Sequence, residues 1–505
     1  METQVVVIGG GVMGTSIARE LSQYKVDVTV IEKYPDVCFG LSKCANGMIY
    51  TGLNWLVSVA LKEVATAGGS AKSLMDKDRL VMEGYEKWER GMLRDLDVPY
   101  LRAGVIVIAR NDEELERLRR MQQMAKPEWE IELLNREALF SIEPNITRDA
   151  IAALYDKGHV LTNYPWDVVI ALAENAKQNG VKFMLDTEVR GFSRSNGFQV
   201  VETTRGRIKT EFIVNSTGLS SPEVAKLADA CNFSLKFFRG HCLITDKRLG
   251  SLVNNILYWP PTPGVSKAIQ RTLSGNLRLG SIYVATENKY DVGAIKEELE
   301  TVLNRARDLV PALSKRDIIA YYAGMRVFSA RDPEEYIIGF APNNPRFMNL
   351  VPRLPAYAPA PAIAEKAASM LEESGLQLSK KEDFNPCRKR ALAFRDLSDD
   401  QRREFIAQDS KWGHIVCRCE HVTEAEVVEA IRRGATTLDG VKFRTRAGMG
   451  RCQGGFCGPR VIEILARELN TSATQITKIG GNSRVLLYES KDLLKARKEV
   501  AHVPE

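Results

Sequence analysis

A chain of 505 residues, 44% hydrophobic and 27% charged, has the composition of a globular protein with two to four domains. Its formal net charge of +6 is small. Basic and acidic residues are mixed along the chain apart from Arg388-Lys389-Arg390, which excludes a dedicated nucleic-acid surface.

No run approaches about 18 apolar residues, so no transmembrane segment is expected. The first strand starts within a few residues of Met1, leaving no room for a signal peptide. A cytoplasmic location is expected, with membrane contact only through a partner. Gln4 to Ile8 is a short β-branched run that reads as a buried parallel strand. Gly9-Gly10-Gly11-Val12-Met13-Gly14 follows at once, and Thr15 to Leu21 reads as a helix. A second strand, Asp27 to Ile31, ends in Glu32. This is G-x-G-x-x-G in its full strand–turn–helix–strand context. Gly9 allows the tight turn, Gly11 lets the backbone approach a pyrophosphate, and Gly14 lets helix and strand pack closely. The helix N-terminus offers free N–H groups to the phosphates. Glu32 can accept from ribose hydroxyls and repels a 2′-phosphate, which argues against NADP.

Further along, Leu80 to Leu96 has helical periodicity and Asp112 to Met124 reads as a charged helix. Asp156 to Gly180 contains an amphipathic helix that Gly180 ends. Phe237 to Thr245 and Asn276 to Val284 read as strands of an antiparallel sheet. Residues 376–411 are polar, include Pro386, and read as a connector packed on the nucleotide domain. No internal repeat occurs, and the tail 471–505 has no assigned element.

Four of the nine cysteines form two pairs. Cys417 and Cys419 make C-x-C; Cys452 and Cys457 make C-x4-C within Gly448-Met449-Gly450-Arg451-Cys452-Gln453-Gly454-Gly455-Phe456-Cys457-Gly458-Pro459. Four thiolates in two tight pairs suit either a tetrahedral zinc or a [2Fe–2S] cluster. The C-x-C spacing fits zinc poorly, and the glycines, which bring N–H donors close to cluster sulfurs, favour the cluster. Thr423 to Arg433 reads as a helix capped by Thr423 with Glu426 as its capping-box partner. Val461 to Leu469 reads as another. The remaining cysteines, Cys38, Cys44, Cys231, Cys242 and Cys387, are scattered and odd in number, so no disulfide framework is expected.

The stretch from Cys417-Arg418-Cys419-Glu420-His421 to Gly458-Pro459-Arg460 resembles a bacterioferritin-associated-ferredoxin-type [2Fe–2S] domain, in which Cys417, Cys419, Cys452 and Cys457 would all be ligands. The first 375 residues resemble the D-amino-acid-oxidase-like FAD enzymes. The blocks are Gly40 to Gly52, Thr187-Glu188-Val189, Phe212 to Leu219, Gly324-Met325-Arg326, Tyr336 to Gly339 and Pro361 to Glu365. The resemblance implies FAD contacts from Gly9, Gly11, Gly14, Glu32, Lys33, Ser42, Lys43, Val189 and Gly218. It implies an α/β fold, with a Rossmann-like FAD-binding domain (about 1–52, 150–225 and 325–375) interleaved with an α+β substrate domain (53–149 and 226–324). The connector 376–411 and a small helical [2Fe–2S] domain, 412–470, complete it. The pairing of the two parts is similar to the catalytic subunit of anaerobic glycerol-3-phosphate dehydrogenases and their relatives.

Over the reactive face the pattern departs from that family. Gly52-Leu53-Asn54-Trp55 carries Asn54 where the family has a phosphate-binding arginine, and Asn54 cannot replace a bidentate guanidinium. Ser274 stands where a histidine is frequent, and Val351 and Ala356 stand where the closing loop has glycines. Arg326 is a candidate for binding a substrate carboxylate or phosphate, and His241 for taking the substrate proton. Arg271 with Lys267 is a further anion candidate. His421 is a candidate donor near the cluster, though a surface role suits it as well. The expected activity is oxidation of a small anionic alcohol or amine by hydride transfer to FAD. Electrons would leave through the [2Fe–2S] cluster to an electron-accepting subunit or a quinone-linked carrier, with the chain placed in a hetero-oligomer. The alternatives are an amino-acid or opine dehydrogenase subunit, or a non-catalytic electron-transfer subunit of a larger flavoprotein complex.

Overall fold

A strand satisfies its backbone only against neighbours, so the short apolar runs above must assemble into sheets. In the computed structural model, which describes residues 1–57, 71–259, 268–353 and 355–491, they form two large sheets and one small hairpin. Lys267 and Leu354 lie outside the described residues. Two compact units result: Met1–Lys33 with Val37–Arg390, and Tyr34–Asp36 with the chain from Ala391 onward.

The first sheet of the first unit runs in the order Ile337–Ala341, Asn344–Val351, Gly206–Asn215, Glu2–Ile8, Val28–Ile31, Lys182–Met184. All neighbours but the first two strands pair in parallel. Val5, Val6 and Val7 are buried alike, without alternation, because helices cover a parallel sheet on both faces. Helix Val12–Leu21 packs between helices Pro165–Gln178 and Ala360–Glu373. A hairpin, Val189–Ser195 with Phe198–Thr203, extends from Gly206–Asn215.

The second sheet runs Ile318–Ser329, Leu235–Thr245, Leu277–Thr286, Ala268–Arg271, Ile256–Tyr258, Leu101–Ala109, Ala152–Thr162, Met48–Tyr50. Successive side chains of a strand point to opposite faces. One face therefore presents Leu243, Ile269, Leu277 and Leu279 to Val302, Leu303 and Ala306 of helix Lys296–Leu309. The other face carries Gly240 and Cys242, with Gly324 and Tyr322 opposite them on one neighbour and Tyr283 opposite Gly240 on the other. A bulge opposite the step from His241 to Cys242, next to Gly280 with φ +123°, shifts the register so that Arg278 joins this second face opposite Ile244.

The interleaving is as expected, with two differences. Strand Ala152–Thr162 belongs to the second sheet, where it pairs with Leu101–Ala109, so the return to the nucleotide domain comes after residue 162 rather than at 150. The connector divides at Arg390. Residues before it are tied to the first unit: Lys25 N donates to Ser379 O at 2.8 Å, Lys381 N to Gln23 O at 2.8 Å, and Arg388 Nε to Glu174 at 2.6 Å.

In the second unit the hairpin Ile415–Cys417 and Val422–Thr423 packs with helices Glu424–Arg432, Leu438–Thr445 and Gly458–Glu468. Val416, Val422, Val427, Val441, Val461 and Leu465 form its core. Thr423 and Glu426 close the expected capping box, with Thr423 N donating to Glu426 Oε2 at 2.7 Å and Glu426 N to Thr423 Oγ1 at 3.3 Å. The last helix starts three residues before the expected Val461, with Pro459 in its first turn. Among the described residues no helix is long and apolar enough to cross a membrane.

Candidate functional site

The glycine turn after Glu2–Ile8 is closed by contacts that no side chain could share. A Cβ on Gly14 would stand 1.8 Å from Gly9 O, and one on Gly9, whose φ is +106°, would stand 2.7 Å from Ser216 O. Strand end, turn and helix Val12–Leu21 thus meet backbone to backbone. The helix N-cap, Gly11, makes no side-chain cap; Ser42 Oγ accepts from Val12 N at 3.0 Å. Glu32 is buried at the end of Val28–Ile31, and Gly10 N donates to its Oε2 at 2.6 Å. A pyrophosphate at the helix start and a ribose at a buried carboxylate are what this cradle fits. Gly218 turns at φ +59° beside it. Lys43 lies 5.6 Å from the Phe39 ring, Lys33 is exposed, and Val189 is half-buried at the start of its strand.

The segment Leu41–Cys44 lies against the second face of the other sheet. A Cβ on Gly324 would meet Cys44 Cβ at 2.5 Å. Arg326, 6% exposed, donates from Nη1 to Met325 O at 2.9 Å and from Nη2 to Cys44 O at 3.3 Å. Its Nε is buried with no partner. No carboxylate pairs with it among the described residues, so backbone carbonyls hold this guanidinium without an ion pair.

His241 is placed differently. It faces helix Lys296–Leu309, away from Arg326, because it is one residue out of phase with Gly240 and Cys242. It is fully buried, and its Nδ1 lies 2.7 Å from Glu298 Oε2. Arg239, on the same face, reaches Glu298 Oε1 at 3.2 Å and also pairs with Asp291. Burial pulls the imidazole below its ordinary value, partly offset by Glu298. The strand's pleat therefore separates the two residues that the sequence pairs as candidates, and leaves His241 a tie between sheet and helix.

The departures from the family pattern also find places. Asn54 accepts from Tyr258 OH at 2.7 Å. Ser274 accepts from Tyr164 OH at 2.5 Å. Val351 is buried in its strand, paired with Ile337. Arg353 just beyond it bonds Glu334 at 2.5 Å, and Lys77 pairs with the same carboxylate, which anchors the closing loop to helix Ala71–Lys87. Tyr357 OH donates to Ser42 O at 3.0 Å. Arg271 is exposed.

Sequence reasoning missed Asp156, a buried carboxylate in the middle of Ala152–Thr162. It accepts from Leu53 N at 2.8 Å and from His159 Nδ1 at 2.8 Å. Against the penalty of burial, those donors hold its carboxyl below the usual range. They fix the start of the helical residues 52–57, and with them Asn54. A carboxylate in mid-strand, three residues before a histidine, was the available signal.

In the second unit the four expected cysteines come together. Cys419 Sγ and Cys452 Sγ are 3.9 Å apart, close to the spacing of about 3.8 Å between two sulfurs each about 2.3 Å from one tetrahedral metal. Cys417 and Cys457 are hydrogen-bonded to each other. The Cys457 thiol and the amides of Gly448, Glu420 and Cys419, working against burial, lower the Cys417 thiol to about 6. The amides of Phe456 and Gly454 lower Cys452. A Cβ on Gly450 would meet Cys419 Cβ at 2.1 Å. Among the described residues no three potential ligands surround a single point. Two pairs lined with N–H donors fit a binuclear cluster better than one zinc. His421 is exposed, at φ +52°.

A family model described as FAD dependent oxidoreductase matches residues 4–370, and one described as BFD-like [2Fe-2S] binding domain matches 415–467. The chain is 35% identical to a glycerol 3-phosphate dehydrogenase of Caloramator mitchellensis, over 96% of this chain and 98% of that protein. It is 22% identical to one subunit of the anaerobic glycerol-3-phosphate dehydrogenase of Escherichia coli (strain K12), over 94% and 90%. Among solved structures, dithionite-reduced L-α-glycerophosphate oxidase from Mycoplasma pneumoniae with FAD bound superposes with a TM-score of 0.69. It is 24% identical and covers 78% of this chain and 100% of that one; at that identity the likeness is one of fold.

Two outcomes follow from this geometry. Gly14→Ala drives a methyl into Gly9 O, an overlap costing about 1–3 kcal/mol or more, and should purify with little flavin absorbance per chain. His241→Asn removes a fully buried ring packed against Glu298 and should lower stability in urea by about 1–3 kcal/mol. It should leave the rate of substrate-driven flavin bleaching within about threefold of the parent, and a collapse of that rate at full FAD occupancy would return His241 to the chemistry.

Proposed function

We propose that this chain, which belongs to the FAD-dependent oxidoreductase family and carries a BFD-like [2Fe–2S] domain, is a glycerol-3-phosphate dehydrogenase whose electrons leave through the cluster to a partner. The observation that carries this is Arg326, a buried guanidinium on the face beside Cys44, with a free Nε and no carboxylate among the described residues. A guanidinium so placed binds an anionic group and fixes the alcohol carbon relative to the flavin site. The name of the 35% identical relative, matched over nearly the whole of both chains, supports the same substrate.

When bound, FAD supplies a two-electron acceptor for the hydride lost from the alcohol carbon, and the cluster supplies a one-electron exit. The chain's own contribution is positioning. Arg326 orients the anion, and Asp156 holds the turn that carries Asn54. The Lys77–Glu334–Arg353 cluster holds the closing loop. The hydroxyl proton is lost as the carbon is oxidised, giving a ketone. The acceptor is an electron-accepting subunit or a quinone-linked carrier, and the chain works within a hetero-oligomer.

The test is an anaerobic panel of glycerol 3-phosphate, 2-hydroxy acids and amino acids, watched as flavin bleaching. Glycerol 3-phosphate should bleach the flavin at a rate that matches turnover. Bleaching by amino acids alone would favour the amino-acid or opine reading, and no bleaching at all a non-catalytic electron-transfer role. Cys452→Ser should lose the cluster, seen as iron and sulfide falling from about two each per chain. It should still bleach with substrate, while turnover with the natural acceptor collapses. Full turnover in that variant would make the cluster structural.

A further inference from the structure

Asn54 leaves the site short of one cation, and the second face of the sheet holds another that the sequence did not single out. Arg278 lies in Leu277–Thr286, between Leu277 and Leu279, which point to the opposite face and are fully buried. It is 6% exposed. Its Nε donates to Tyr322 OH at 3.0 Å and its Nη2 to Cys242 Sγ at 2.9 Å. No carboxylate pairs with it among the described residues. Burying a charged guanidinium against a phenol and a thiol is costly unless an anion completes the set.

The register sets Arg278 and Arg326 apart, and their side chains lean toward each other. Arg278 starts opposite Ile244 and Arg326 opposite Phe238, at the two ends of a stretch of Leu235–Thr245. Arg278 leans back over Cys242 and Tyr322. Arg326 leans over Gly324, to which its Nη1 would be 3.4 Å from a Cβ. The pairs Cys242–Tyr322 and Gly240–Gly324 are two residues apart on the same face, about 7 Å. Gly240 and Gly324 contribute no side chains of their own there, and Cys44 and the Tyr283 ring pack closely against them and border the interval. The Tyr283 ring stands 3.1 Å from where a Gly240 Cβ would be and 6.0 Å from the Arg326 guanidinium. Tyr258, the partner of Asn54, is also within electrostatic reach of Arg278. Burial raises the Tyr258 and Tyr322 phenols, so both stay neutral, with the Tyr258 O–H already given to Asn54. Two charge-assisted bonds of about 2.8 Å to opposite oxygens of one phosphate fill a gap of this size.

We propose that Arg278, seated by Tyr322 and Cys242, is the second anion-binding residue of the substrate site, and that with Arg326 it selects a phosphomonoester dianion over a monocarboxylate. The cation that the family carries at the position of Asn54 is thereby supplied from the sheet instead of the helix. This rests on the glycerol-3-phosphate reading, which its test keeps separate.

The test uses the FAD-loaded, full-length protein with Arg278→Met and Arg278→Lys. The first readout is binding of inorganic phosphate, followed as a perturbation of the flavin absorption and needing no turnover. Phosphate affinity should fall about 30-fold or more in Arg278→Met and recover in part in Arg278→Lys. The second is KM for glycerol 3-phosphate, which should rise by a similar factor with a smaller change in kcat. KM for glycerol itself, which has no phosphate, should not move. Unchanged phosphate affinity in either variant at parental FAD occupancy overturns the proposal, and so does an equal rise in KM for glycerol. Should Arg278→Met lose its FAD, Arg278→Lys, which keeps the charge but not the fork, decides on the same readouts. Phosphate binding that depends on Arg278 in a protein that glycerol 3-phosphate does not reduce would uphold the subsite and sink only the substrate.

Discussion

A charged group can leave water only if something replaces the solvent around it. Strand Leu235–Thr245 and its neighbours show two answers to that constraint, one on each face. Toward helix Lys296–Leu309, Arg239 and His241 meet Glu298, and Arg239 also meets Asp291. There the guanidinium of Arg239 is compensated by carboxylates and ties a helix to a sheet. On the other face, Arg278 and Arg326 have backbone carbonyls, a phenol and a thiol, but no acid among the described residues. Neutral partners position a guanidinium without cancelling it. The electrostatic incompleteness of that face distinguishes a binding surface from a packing surface, and it follows from the two-residue period of the strand.

The same logic orders the rest of the first unit. Asp156 is buried, and the amides and ring it faces stabilise its charge, so it serves as a fixed anchor for the turn at Leu53. Glu334 is shared between Lys77 and Arg353 and joins helix Ala71–Lys87 to the segment after Asn344–Val351. These satisfied pairs stand behind the site and hold its geometry, as preorganised binding requires.

The nucleotide half was legible because its signals are local. Gly9, Gly11, Gly14 and Glu32 lie within a single strand–turn–helix–strand unit, and each has a role set by its immediate neighbours. The cluster cysteines were legible for the same reason, since two short motifs carry all four sulfurs. The substrate face was harder, because its members come from five distant stretches and their orientation depends on register. His241 and Arg326 both looked like inward residues. Only the pairing of Gly240 with Gly324 shows that His241 is out of phase. Arg278 was hidden by a bulge beside Gly280 that no alternation rule anticipates. The placement of Ala152–Thr162 was misjudged because its ends are buried without alternation, and such a strand carries no period to say which sheet it joins.

Strand order also has a consequence for how the chain reaches this state. The central strand Glu2–Ile8 pairs with Gly206–Asn215, and Gly206–Asn215 in turn with Asn344–Val351. Val28–Ile31 covers one edge of the central strand soon after it is made, but at about 5–20 residues per second a ribosome needs roughly ten to forty seconds to deliver the partner of the other edge. Throughout that interval Val5, Val6 and Val7 have one side open, an apolar edge of the kind that recruits the wrong strand. A truncation that ends before residue 351 cannot close the sheet, so flavin incorporation is a late event in biosynthesis, and pulse-labelled protein should acquire protease resistance only after the third segment of that sheet has emerged.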